Sequence, residues 1–372
     1  MTDAIQNSVN IQTRQGNENP QAMLGIACGA GAGLVLRKGV DQLKKPYFKL
    51  FLENADKFTP QEQEALTKEA NRMIEESGIA EKGFNGVNWI DASKKSTVKS
   101  IKEIIDSKLK EFKISKYLTK SISEQTLENL EKLDPTHSVS TGKITTDEAA
   151  KKLIGGILKT AVKGSLKDKL TLCFMLVTAP ISKLANILTG QFKNKDVNEL
   201  LKSITLGAFD PFSNRIFTSK PASVLHEIGH AINKNTNFFT KIPNNLSLIS
   251  KGALIPLAIL TAIFTKKPKN PDAEQTTNKS SFEKLKEFVH NHIGLTVAGL
   301  SLPLLVEEGL ASTRAVKFVN ASKVLSETTK NQHNKVLKIA YGSYLIGTAV
   351  LASGASLAVF VKDKIVEYTT KN

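Results

Sequence analysis

Residues 221–235 read PASVLHEIGHAINKN, and within them His226, Glu227 and His230 have the types and spacing needed for hydrolysis at a metal ion. On a helix His226 and His230 lie one turn apart and point the same way. Two neutral imidazoles so placed can share one tetrahedral Zn²⁺, with Glu227 leaning toward the open position where water would bind. Gly229 keeps the surface between the ligands small. The competing reading is an ordinary helix with two unrelated histidines. Only six His occur in 372 residues, so chance seldom produces this spacing. A catalytic zinc site takes three protein ligands and one open position, so a third ligand must come from elsewhere in the chain.

The local sequence favours a helix at this point. Ser219 is a candidate N-cap, and Pro221 suits a first turn, where a missing N–H costs nothing. Leu225, Ile228, Ala231 and Ile232 supply an apolar face at helical spacing.

Downstream, the chain turns apolar in long blocks. Residues 339–361 hold 23 positions without a charge, enough to cross a bilayer, with small Gly and Ser residues that let another helix approach closely. Residues 246–265 carry one charge, Lys251, near their start, where it can snorkel. The apolar run 292–306 is short and is read as spanning over 288–306 with help from its flank. If 246–265 crosses and 288–306 returns, the chain comes back to the face it left. The next carboxylates, Glu307 and Glu308, then lie on the same side as the histidines. Two shorter apolar stretches, 22–36 and 170–182 (extending to 187 as a span), remain open between spanning helix, half-helix and soluble core.

Residues 1–21 are polar and are expected to be disordered, with no signal peptide. The region 22–150 reads as helical. Thr59 and Glu62 form a capping box for an amphipathic helix that ends at Gly78, and further amphipathic patterns follow at 96–118 and 121–133. Nothing in that region carries chemistry. Residues 151–372 form the metal-binding membrane region. Net charge is +16, mostly from dispersed Lys, and aromatics make up 6% of the chain. That pattern favours an anionic lipid surface, and no nucleic-acid partner is expected. Cys28 and Cys173 are single cysteines in apolar stretches, read as small buried hydrophobes.

Residues 205–320 resemble the YugP-like membrane zinc peptidases and, more distantly, the HtpX-type membrane proteases. FDPFSNRIFTSKPASVLHEIGHAI resembles the family's Asp-Pro turn and short strand leading into an HExGHA helix. NNLSLISKGALIPLAILTAIF resembles the apolar segment that follows, and LPLLVEEGLASTRA is similar to the family's E-x-x-A-S-x-R-A. The resemblance implies that Glu308, rather than Glu307, is the third zinc ligand, supported by Ser312 or Arg314. Roughly 200 residues precede the matched region, more than the family carries, and Asn233 stands where the family has Gln.

The expected protein is mainly α-helical: an integral membrane metallopeptidase with a short strand or hairpin before the HExxH helix and a helical N-terminal region. The expected activity is zinc-dependent endopeptidase cleavage of a protein or peptide substrate associated with the membrane, with Glu227 as general base. The strand at 215–218 is expected to take an extended substrate by strand addition. Competing readings are a zinc-binding membrane scaffold without catalysis, and a basic protein that binds lipid or nucleic acid. The expected location is the bacterial cytoplasmic membrane. Six Lys/Arg on each side of the hairpin give the positive-inside rule nothing to act on, so the cytoplasmic facing of the site rests on the Lys-rich N-terminal region.

Overall fold

The computed structural model describes residues 46–47, 49–91, 144–163, 206–265 and 280–371. The expectations for 1–21, 22–36, 96–118, 121–133 and 170–187, and for Cys28 and Cys173, lie outside the described residues. Of the described residues, 80% are helical. In chain order the elements are α1 (Pro60–Ser77), β1 (Val87–Trp89), α2 (Thr146–Lys163), β2 (Ala208–Asp210), β3 (Arg215–Thr218), α3 (Pro221–Asn235) and α4 (Phe238–Ile249). A π-helical turn (Ser250–Leu254) joins α4 to α5 (Ile255–Phe264), and α6 (Ser281–Asn291), α7 (Ile293–Ala321) and α8 (Glu327–Lys371) follow.

Helix α1 starts and stops as its sequence dictates. Thr59 and Glu62 cap each other, with the Thr59 N–H donating to Glu62 at 2.8 Å, and Gly78 closes the helix in the left-handed region. Its inner face does more than expected. Leu66, Ala70, Met73 and Ile74 share one core with Val224, Leu225 and Ile228 of α3 and with Ala315 and Val319 of α7. The N-terminal region therefore forms part of the packing that holds the histidine helix.

The sheet has strand order β1–β3–β2, with β1 parallel and β2 antiparallel to β3. Strand β1 was not legible in the sequence, because three residues show no alternation. The sheet also corrects the expected substrate strand. Residues 215–218 are the central strand, bounded by β1 on one side and β2 on the other, so they have no free edge to offer. The outer strands are β1 and β2, and β1 is met on its outer side by Ile144, whose N–H donates to the Trp89 carbonyl at 2.7 Å.

The start of α3 differs from expectation as well. Lys220 is the N-cap residue and contributes no side-chain cap. With strand β3 running up to Thr218, the Thr218 hydroxyl accepts the Lys220 N–H at 3.0 Å, and Ser219 is left between the two elements. Pro221 occupies the first turn as expected.

Among the described residues, three stretches of helix are long and apolar enough to cross a membrane: Phe238–Phe264, Ile293–Ala321 and Glu327–Tyr368. Each expected segment falls on one of them with shifted bounds. The first begins at Phe238 rather than 246, because the Asn237 side chain caps it by accepting the Phe239 N–H at 3.0 Å. The second is preceded by α6, a separate helix with its own Ser280–Glu283 capping box, and a break at His292 divides the two. The third extends well past 339–361 at both ends. Ile259, Ala262 and Ile263 of α5, Ile293 and Val297 of α7, and Ala355 and Val359 of α8 pack these helices together.

Candidate metal centre

Helix α3 is buried along nearly its whole length, which is uncommon for a helix carrying His, Glu and Asn. Its polar side chains must therefore find partners inside the protein. They find them on α7, and Gly229 is why α7 can come close. A Cβ at that position would lie 2.6 Å from the Ala311 carbonyl oxygen and 2.8 Å from the Ala311 Cα. Backbone meets backbone there, between the two histidines. Gly229→Ala is expected to force the helices apart, lowering the melting temperature in detergent and the retained metal together; overpacking of this kind costs about 1–3 kcal/mol. An unchanged melting temperature would show the contact to be looser.

Across this contact His226, His230 and Glu308 form a buried group that could hold a metal ion. The two Nε2 atoms are 3.0 Å apart. Glu308 Oε2 lies 3.2 Å from the first and 3.5 Å from the second. Tetrahedral zinc with bonds of about 2.0–2.1 Å places neighbouring donors about 3.3 Å apart, so the three atoms are spaced as ligands of one ion. The other ring nitrogens are already engaged. His230 Nδ1 faces Glu307 Oε1 at 2.5 Å, and His226 Nδ1 faces the Ser312 hydroxyl at 3.2 Å. Partners at Nδ1 fix each ring so that Nε2 presents its lone pair, the usual arrangement behind metal-bound histidine.

Both adjacent glutamates thus face inward, and they have different work. Glu308 joins the histidine Nε2 atoms, while Glu307 lies behind His230 and also accepts from the Asn244 side chain at 3.1 Å. Asn244 is on α4, so the first apolar helix is tied into the site. The sequence reading weighed Glu307 only as an alternative ligand. Two carboxylates side by side at the end of an apolar run could have signalled more, because each needs its own partner once buried. Glu307→Gln is expected to weaken zinc binding by about 10–100-fold, as loss of such supporting contacts does elsewhere. Competition with a chelating dye would measure it, and an unchanged affinity would remove Glu307 from the site.

Ser312 and Arg314 are placed differently from each other. Ser312 meets a ligand ring directly. Arg314 does not; its Nε donates to Asn233 Oδ1 at 2.8 Å, and Asn233 Nδ2 donates to the Glu307 carbonyl at 3.5 Å. Asn233 is fully buried and cross-links α3 to α7.

Glu227 lies beside the histidine pair, near enough to feel His226, His230 and Glu308, and faces β2. Its Oε2 accepts the Phe209 N–H of β2 at 2.8 Å. Gly207 lies over the same carboxyl, with φ of +140 and room for no Cβ, which would sit 2.6 Å from Ser223 Oγ and 3.3 Å from Glu227 Oε1. Burial pushes the Glu227 carboxyl above its ordinary range, against the pull of the two histidines. Helix α8 closes the site with Tyr344, which lies close to Glu308, and with Tyr341, which packs over Gly309.

In the metal-free protein burial alone would lower the pKa of His230, but the Glu307 and Glu308 carboxylates outweigh it and hold the ring well above its ordinary value. Zinc needs this ring neutral, so binding must release that proton. Zinc affinity is therefore expected to rise with pH up to the metal-free pKa of His230, by about tenfold per unit for one displaced proton, and to level off above it. A titration from pH 6 to 9 checks the sign; affinity independent of pH would contradict it.

No family model, curated protein or solved structure matches the chain.

Proposed function

We propose that the protein is a membrane-embedded zinc endopeptidase, with His226, His230 and Glu308 holding the ion. The observation that carries this reading is the convergence of two imidazole Nε2 atoms and one carboxylate oxygen at 3.0–3.5 Å, with a second carboxylate, Glu227, beside them on the same helix. Zinc at this position supplies a lowered water pKa and a polarised carbonyl. The residues supply the rest. Glu227 takes a proton from the attacking water on its carboxylate oxygen and returns it to the leaving amine nitrogen. The Phe209 N–H holds the carboxylate in place, and Gly207 leaves room for it.

An extended peptide is accommodated along β2, whose outer side borders Glu227, rather than along β3. The three apolar helices cross the bilayer, so the substrate is a membrane-associated protein or peptide. The likeness of residues 205–320 to the YugP-like peptidases supports the same reading. A direct test reconstitutes the full chain in lipid and follows a membrane-anchored peptide with and without chelator. Cleavage that stops on chelation and returns with zinc is the expected result, and cleavage indifferent to chelator would refute it.

A further inference from the structure

The positions of two polar clusters along the helices fix the depth of the site. At one end is the metal group, with Tyr344 of α8 against Glu308. At the other, His290 of α6 faces the Ala262 carbonyl at 2.8 Å and Asp363 at 2.9 Å. Lys362 reaches the Thr265 carbonyl at 2.7 Å and lies 3.0 Å from Asp363. Tyr344 and Lys362 are 18 residues apart on one unbroken helix. At about 1.5 Å per residue the separation is about 27 Å. The hydrocarbon layer is about 30 Å thick, and about 40–45 Å with its headgroups. The separation matches the hydrocarbon layer, so with these helices spanning it the two clusters fall at its two boundaries.

Beyond each boundary stand exposed aromatics. Phe238 and Phe239 are 70% and 77% exposed and pack edge to face, with ring centroids 5.9 Å apart. They precede Asn244, the partner of Glu307, by six and five residues, which puts them about 8–9 Å farther out. On the opposite side Tyr368, 72% exposed, lies six residues past Lys362, and Phe282 and Phe288 of α6 are exposed as well. Tyr at this depth suits the layer between hydrocarbon and water, and exposed Phe rings beside Lys bury at the headgroup–acyl boundary. Lys241, close to the Phe pair, adds a cation for anionic headgroups.

We propose that Phe238 and Phe239 are a membrane-interface anchor that docks in the headgroup layer and holds the metal centre at the bilayer boundary, on the same side. This rests on the membrane-spanning reading and is independent of peptidase activity. Its consequence is that only a bond lying within the interfacial layer can reach the site.

Nitroxide labels test it on the full chain in nanodiscs of phosphatidylcholine and phosphatidylglycerol, with Cys28 and Cys173 replaced by Ser. Labels are placed singly at Phe239→Cys, Leu302→Cys and Lys323→Cys. Nickel-chelate accessibility is expected to fall from Lys323 to Phe239 to Leu302, while oxygen accessibility rises in the same order. Equal nickel accessibility at Phe239 and Lys323, with Leu302 still in hydrocarbon, overturns the anchor alone. An aqueous Leu302 overturns the spanning reading itself.

Discussion

Glu227→Gln is expected to keep its zinc and lose peptide hydrolysis by about 10²–10⁴-fold, the usual contribution of a positioned general base. The carboxylate is not among the three converging donors, and its Oε2 accepts the Phe209 N–H. Gln is nearly isosteric and can still accept from that N–H through its amide oxygen, so the fold around Gly207 should persist. What disappears is the capacity to take and return a proton. Metal analysis and turnover on one preparation separate the outcomes. Loss of zinc along with activity would make Glu227 a structural residue. Retained activity would place the base elsewhere, and zinc binding without turnover in the unaltered chain would put the protein among zinc-binding scaffolds.

The second large effect comes from removing a ligand. Glu308→Ala and His230→Ala should each reduce bound zinc to background, because two remaining donors cannot complete a catalytic site. The two variants should differ in stability. Glu308→Ala leaves two facing imidazoles without their shared carboxylate, whereas His230→Ala strands Glu307 with only the Asn244 amide on its side chain. An unpaired buried carboxylate is the costlier defect, so His230→Ala should have the lower melting temperature in detergent. The reverse order would mean that Glu307 is better supported by solvent than its burial suggests.

The part of the site legible in the sequence was the part encoded locally. Helical spacing places His226, Glu227 and His230, and the E-x-x-A-S-x-R-A likeness selects Glu308 across 82 residues of chain. The Ser312 contact follows from the same register, one turn after Glu308. Partners set only by tertiary packing were not legible: Asn244 reaches Glu307 because α4 starts at Phe238, ahead of the apolar run that marks it in sequence. Phe209 acts through its backbone N–H, a group that every residue but proline has, so no side-chain pattern reveals it.

The fold divides in a similar way. Apolar length identifies the three long helices, while the first two start where the Asn237 cap and the break at His292 set them, and Ser280 caps the separate α6. The role of α1 was hidden for another reason. Its amphipathic face shows that it packs against something, and only the folded chain shows that the partner is the histidine helix.

The most direct test of the zinc centre is X-ray absorption at the zinc edge, together with zinc stoichiometry, on the full chain purified in detergent. One zinc per chain is expected, with two imidazole nitrogens at about 2.0–2.1 Å, a carboxylate oxygen at about 2.0–2.2 Å and no sulfur in its shell. Protein that retains no zinc when purified and reloaded at pH 8, or zinc whose shell survives replacement of both His226 and His230, would contradict the account.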